Sequence, residues 1–349
     1  MVGDSQTAEV LAAAPTSSFP RTREFRHDIN NLMHLIPIFT GMTENEAFDF
    51  LQIHNGSIVK KNSIRDCLRK PEWLKVRLPN TPDFNRVRGV LSRHGLHTIC
   101  QEARCPNMSE CFQDGTATFL ILGSVCTRNC RYCNVAHGVP APIDEEEAGR
   151  LVFAVKSLSL KYVVITSVTR DDLPDGGAGA FARSIGALRK SLPGIRIEVL
   201  IPDFRGQVAA IEEVIAARPA VINHNIEVTP SLYAQLRPEG NYETSLKILN
   251  RVGSAPSIIS KSGFMIGFGE NTEDIHRLLE DLAGAGCQSV TIGQYLQPTI
   301  DHWPVRKYYH PDEFADIRKT ALAMGFRHVE AGPLVRSSYH AALSGSGEA

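Results

Sequence analysis

From residue 116 onward, short apolar runs alternate with longer stretches whose apolar residues recur every three or four positions. The first pattern is that of buried strands, the second that of amphipathic helices. The strand-like runs are TATFLIL (116–122), YVVITS (162–167), IRIEVLI (195–201), AVINHNI (220–226), SIISKSGFMIG (257–267) and SVTIGQYL (289–296). Between them, EEEAGRLVFAVKSL (145–158), GAFARSIGALRKSL (179–192), VAAIEEVIAA (208–217), YETSLKILNRV (242–252) and TEDIHRLLEDLAGA (272–285) have helical spacing. Strands apolar on both faces and separated by helices predict an α/β fold with a helix-covered parallel sheet.

Polar residues gather directly behind the strand runs. Three cysteines follow the first, and TSVTRDDLPDGG (166–177), IPDFRG (201–206), NHNIE (223–227), GFGEN (267–271) and QYLQP (294–298) mark the others. Functional residues of a β/α barrel collect at the C-terminal strand ends, whereas an open doubly wound sheet concentrates them at one switch point. The expectation is a partial (β/α)6 barrel of TIM type over 116–325, with N- and C-terminal extensions. Residues 1–65 carry scattered apolar groups without repeat or motif, and 66–115 form a Pro-punctuated wrap leading into Cys100. Residues 326–349 are a C-terminal segment.

Composition narrows the function classes. The 349 residues are 43% hydrophobic, enough for a substantial core, and 37 Lys+Arg against 38 Asp+Glu leave a net charge of −1. That balance gives no global electrostatic case for nucleic acid or an acidic membrane surface. No apolar run approaches the roughly 20 residues of a spanning helix. VLAAAP (10–15) is too short for a secretory segment, and Asp4, Glu9 and Glu24 count against a transit peptide despite Arg21 and Arg23. A cytoplasmic protein is expected, with neither nucleic acid nor membrane as partner.

Six of the eight cysteines fall between Cys100 and Cys133, which points to metal or redox chemistry rather than a disulfide scaffold. Cys67 and Cys287 stand alone and read as small hydrophobes. Cys126, Cys130 and Cys133 form C-x3-C-x2-C. Structural zinc sites want four ligands, commonly two C-x2-C pairs, and only 130/133 is such a pair. Three thiolates on a tight loop suit a cubane iron–sulfur cluster with one open iron, although soft ligands by themselves suit either metal. Cys100, Cys105 and Cys111, spaced C-x4-C-x5-C, are less diagnostic, and a regulatory or structural site is a fair alternative for them. Arg128 and Arg131 read as solvated loop charges, His224 as a hydrogen-bonded histidine, and Asp171, Asp172 and Asp175 as turn formers. GFGEN lacks the GxGxxG of a nucleotide loop.

C-x3-C-x2-C behind a first barrel strand resembles the motif of the radical S-adenosyl-L-methionine (SAM) enzymes. With C-x4-C-x5-C just upstream, and with TSVTRDDLPDGGAGAFA, KSGFMIGFGE, TIGQYLQP, YYHPDEF and RSSYHA, residues 69–342 resemble the lipoyl synthases of that superfamily. Phe112 and Trp303 depart from the residues usual there, tryptophan and leucine.

The resemblance implies a sulfurtransferase of lipoate biosynthesis with two 4Fe–4S clusters. One, on Cys126, Cys130 and Cys133, would bind SAM at its open iron and break a C–S bond to give a 5′-deoxyadenosyl radical. The auxiliary one, on Cys100, Cys105 and Cys111 with the catalytic Ser338 as fourth ligand, would be sacrificed as sulfur source. An oxygen ligand on a sulfide-bridged iron suits easy release. Sulfur would enter at C6 and C8 of an octanoyl chain on a lipoyl carrier domain, either the glycine-cleavage H protein or a 2-oxoacid dehydrogenase E2 subunit. Ferredoxin or flavodoxin would donate electrons, and RDDLPDGG would be a structural or carrier-facing loop. Thr166, Ser167, Asn223, Asn225 and Glu227 are the expected SAM contacts.

Overall fold

In the computed structural model, which describes residues 68–75, 82–103, 105–113, 117–339 and 341, the apolar runs form one sheet. The expected extension 1–65 lies outside the described residues. Helix α1 (Pro82–Arg93) buries Val87, Val90 and Leu91 at helical spacing, and β1 (His97–Thr98), α2 (Ile99–Glu102) and α3 (Met108–Gln113) follow. After β2 (Thr118–Ile121) come the two-residue strands β3 (Val125–Cys126) and β4 (Ala136–His137). The chain then alternates: α4 (Glu147–Ser157), β5 (Tyr162–Ser167), α5 (Ala178–Ser191), β6 (Arg196–Leu200), α6 (Val208–Ala216) and β7 (Val221–Asn223). It continues with α7 (Pro230–Leu236), α8 (Tyr242–Gly253), β8 (Ile259–Ile266), α9 (Thr272–Gly284), β9 (Ser289–Gln294), α10 (Pro311–Ala323) and β10 (His328–Gly332).

Strands pair in the order β1-β2-β5-β6-β7-β8-β9-β10, all parallel except β1 against β2. The partial β/α barrel expected from the alternating pattern is the observed architecture. It carries one parallel strand more than the six apolar runs, because β10 (HVEAG) buries only Val329 and so leaves no hydrophobic run to notice. Helix α10 likewise buries only Phe314 and Ala321, and is started by Pro311 and a capping box between His310 and Glu313.

Charge also enters the barrel wall. Lys261 of β8 donates to Glu198 of β6 at 2.9 Å, Tyr162 of β5 donates to the other Glu198 oxygen at 2.6 Å, and neither charged side chain is exposed. Each charge tolerates burial because the other faces it.

Candidate active site at the strand ends

Both cysteine trios and the C-terminal serines line one cavity of about 340 Å³ at the C-terminal ends of the strands. Cys100, Cys105, Cys111, Cys126, Cys130 and Cys133 are all on its wall, and Ser338 joins them from the far end of the chain. Among the described residues, no three His, Cys, Asp or Glu side chains converge closely enough for a single ion. Thiolates spread over the corners of a cluster have no need to.

Each cysteine loop has its own supports. Around Cys126 the β3–β4 pair closes the loop, with Gly138 N–H donating to the Cys126 carbonyl at 2.9 Å and Arg128 N–H to the Cys126 sulfur at 3.4 Å. Arg131 N–H reaches the Leu236 carbonyl at 3.0 Å, and His302 Nε2 pairs with the Cys133 carbonyl at 3.0 Å. The other trio rides on α2 and α3: Cys105 N–H donates to the Cys100 carbonyl and Cys111 N–H to the Asn107 carbonyl, both at 2.9 Å. Asn134 ties the loops together through the Glu102 carbonyl at 2.9 Å. Asn107 holds the C-terminal segment through the Leu334 carbonyl at 2.6 Å, and Tyr339 reaches Glu110 at 3.2 Å.

Arg128 is not a solvated charge. It is 7% exposed and forks onto two carboxylates, Asp171 at 2.6 and 2.9 Å and Asp203 at 2.7 Å to each oxygen. Burial alone would raise the Asp203 carboxyl, but the guanidinium outweighs it and holds that carboxyl below its usual range. Arg131 is exposed, as expected. The other carboxylates of RDDLPDGG also serve the fold: Asp172 pairs with Arg170, and Asp175 accepts from the Gly177 and Gly179 N–H groups at 2.9 Å. In GFGEN the carboxylate of Glu270 takes the Gly267 and Phe268 N–H groups, so those amides are not offered to a phosphate.

Of the expected SAM contacts, Thr166, Ser167, Asn225 and Glu227 line the cavity, and Asn223 does not. Asn223 is fully buried, and neither of its amide atoms has a hydrogen-bond partner. Thr166 donates to the Leu200 carbonyl at 2.9 Å, while the buried Ser167 hydroxyl and Asn225 Oδ1 have no partner. Glu227 has φ 71°, a left-handed backbone that a non-glycine residue adopts at a cost, and is held there by bonds to Gly263 and Met265 of β8. Its carboxyl is pushed up by burial, against the pull of Arg237. Arg237 also lies beside Cys130, with a buried Nε that has no partner.

Residues 120–282 match the family model of the Radical SAM superfamily, and residues 10–105 that of the N-terminal domain of lipoyl synthase. Lipoyl synthase from Glaesserella parasuis is 50% identical over 286 residues, which span 81% of this chain and 89% of that protein. Lipoyl synthase from Photorhabdus laumondii is 48% identical over 321 residues, covering 90% of this chain and 94% of that protein. The chain belongs to the lipoyl synthase family. The crystal structure of methylornithine synthase is similar over 72% of this chain and 82% of its own, with 14% identity and a TM-score of 0.47.

As a lipoyl synthase the chain is a sulfur-inserting radical SAM enzyme that uses a 4Fe–4S cluster and SAM. Among the described residues, no helix is long and apolar enough to cross a membrane. The donor set fits that chemistry. Burial pushes the Cys100 thiol up to about 11 and the Cys133 thiol up to about 12, as it does the lone Cys287, so what fits a cluster is the gathering of six sulfurs on one cavity wall. The partnerless Ser167 hydroxyl, Asn225 oxygen and Arg237 Nε offer a polar ligand hydrogen bonds that the fold leaves unused. Arg237 carried no motif that would have marked it, whereas Arg336 and Ser337, also on the cavity wall, sit inside RSSY beside the expected Ser338.

His224 is hydrogen-bonded, as expected, to the Ile201 carbonyl and the Ser245 hydroxyl, both at 3.0 Å. Burial, assisted by Arg237, pulls its imidazole from 6.5 to about 4. The unfolded chain therefore takes up this proton first, and stability is lost as pH falls from 6.5 towards about 4, by up to about 3 kcal/mol. A His224→Gln variant is expected to lose that part of the acid sensitivity, which urea unfolding midpoints at about pH 7 and about pH 5 will report.

Proposed function

We propose that this enzyme inserts two sulfur atoms, at C6 and C8 of an octanoyl chain carried on a lysine of a lipoyl carrier domain. Cys126, Cys130 and Cys133 hold the SAM-binding 4Fe–4S cluster, and Cys100, Cys105 and Cys111 with Ser338 hold a second, auxiliary one. The observation that carries this is the single cavity into which all six cysteines and Ser338 are gathered. When bound, the first cluster would supply the electron for SAM cleavage and the second would supply sulfur.

The chain's own residues bind, orient and exclude. Thr166, Ser167, Asn225 and Glu227, which line the cavity, are the polar groups assigned to SAM. Arg128 stiffens the loop between Cys126 and Cys130 through its two carboxylates. Leu120, Val168, Ile201, Met265 and Leu296 give the cavity apolar walls that keep water from a reacting carbon. On this proposal residues 66–115 carry the auxiliary cysteines, 116–325 the SAM site and 326–349 the releasable Ser338, with 1–65 as an extension. The H protein or an E2 subunit is the carrier, ferredoxin or flavodoxin the electron donor, and the cytoplasm the setting.

The test is turnover of the anaerobically reconstituted enzyme with SAM, a reductant and an octanoylated carrier peptide, read by mass spectrometry. The native enzyme is expected to bind about eight irons as two cubanes, and the peptide to gain two sulfurs at the expense of two SAM. Tightly bound zinc without SAM cleavage would sink the proposal.

A further inference from the structure

Beyond β10 the chain turns back and lies across the strand ends, and the strands beneath are bare where it passes. A Cβ on Gly293 of β9 would collide with the Val335 carbonyl oxygen, and one on Gly263 of β8 would collide with Thr291 Oγ1 at 2.5 Å and lie 2.9 Å from Asn225 Oδ1 and 3.3 Å from Ser337 Oγ. The segment is thus seated in the top of the barrel rather than draped over it. Both of its serines line the cavity. Ser337 accepts a 2.6 Å hydrogen bond from Asn225 Nδ2, the same nitrogen that donates to Glu227 Oε1 at 3.0 Å. Residues on either side of the serines are tied instead to the auxiliary loop, through Asn107 to the Leu334 carbonyl and Tyr339 to Glu110.

An amide nitrogen has two hydrogens, and those of Asn225 go to Glu227 and Ser337. A ligand that bonds the free Asn225 Oδ1, or draws on Glu227 Oε1, therefore acts on the same amide group that holds Ser337. Ser338 is the next residue, with its Cα only about 3.8 Å away along the chain. We infer that Ser337 is a positioning residue, coupling SAM occupancy at the end of β7 to the placement of Ser338 at the auxiliary cysteines. The coupling rests on the two-cluster assignment proposed above. It gives a cluster meant to surrender sulfur a way to sense that SAM is in place.

Coupling between two sites is reciprocal, so loss of Ser338 must be felt in SAM affinity, and only through Ser337. The experiment is a double-mutant cycle on the SAM dissociation constant of the reconstituted, oxidised enzyme, with Ser337→Ala, Ser338→Ala and the double variant. Ser338→Ala is expected to change SAM affinity about fivefold or more when Ser337 is present, and less than about twofold when it is not. Ser337→Thr, which keeps the hydroxyl, is expected to restore the coupling. The response of the auxiliary cluster's Mössbauer spectrum to SAM should be present in the native enzyme and lost in Ser337→Ala. Additive effects on affinity within about twofold, or a SAM response that persists without the Ser337 hydroxyl, overturn the inference. If Ser337→Ala fails to retain auxiliary iron, Ser337→Thr decides: an iron-loaded but uncoupled Thr variant also overturns it. A native enzyme that lacks a second cluster or gives no sulfur product would instead contradict the two-cluster assignment itself.

Discussion

Replacing Cys130 with alanine is expected to stop SAM cleavage, whereas replacing Cys105 with alanine is expected to leave SAM cleavage running and stop sulfur transfer. The two thiols share one cavity but hang on different backbone supports. Cys130 sits in the loop pinned by the β3–β4 pair, the Arg128 carboxylates and the Leu236 carbonyl. Cys105 sits in the turn between α2 and α3, held by the Cys100 carbonyl. Alanine leaves either turn its hydrogen bonds and removes only the sulfur, so each variant should lose one job and keep the other. Outer partners of metal ligands are commonly worth about 10–100-fold, and loss of a direct thiolate ligand should exceed about 100-fold in the affected product. Ser338→Ala should lie between native and Cys105→Ala, sparing 5′-deoxyadenosine more than sulfur, because an oxygen is a weaker partner than thiolate for a cluster iron. Chromatography of 5′-deoxyadenosine and mass spectrometry of the peptide, from the same reaction, separate the two steps. Equal loss of both products in both cysteine variants would defeat the division of labour.

Local chemistry made much of this enzyme legible from its sequence. The strand runs were readable because a parallel strand covered on both faces is apolar throughout, and the trio of Cys126, Cys130 and Cys133 because three thiolates on a tight loop have few other uses, whereas Cys100, Cys105 and Cys111 drew their meaning from that neighbouring trio. Elements held by few buried side chains left no such trace: β10 has Val329 alone, and α10 has Phe314 and Ala321. The charges were harder. Arg128, Asp171 and Asp203 come from three different strand ends, and Lys261 and Glu198 from two strands that are not neighbours, so their pairing depends on the barrel itself. An unpaired arginine in a loop belongs in water, and only its partners, 43 and 75 residues away, make burial tolerable. Ser337 was hidden for the same reason, since its Asn225 partner lies 112 residues upstream.

Arg128→Ala is expected to destabilise the protein by about 3–5 kcal/mol, the range typical of leaving a buried charge without its partner. Asp203 sets the size of the effect, because its side chain is only 3% exposed while that of Asp171 is 27% exposed and partly solvated. Arg128→Lys should recover only part of the loss: an ammonium keeps the charge but cannot fork onto two carboxylates at once. The pH dependence separates this cause from simple loss of packing. In the native protein the Asp203 carboxyl is held below its usual range, so its contribution is present at neutral pH and is lost as pH falls through that low value. Without Arg128, burial is left to act on Asp203 and raises the carboxyl, which then favours the folded state as acid protonates it. The stability gap between native and Arg128→Ala should therefore narrow between about pH 7 and about pH 5, and adding Asp203→Asn should close much of it at neutral pH. Denaturant unfolding of the two proteins at both pH values is the measurement, and a gap independent of pH and untouched by Asp203→Asn would count against the clamp. Because Arg128 lies between Cys126 and Cys130, the same variant should also retain less iron on that trio than on Cys100, Cys105 and Cys111, tying the electrostatics of one buried guanidinium to the chemistry of the loop it anchors.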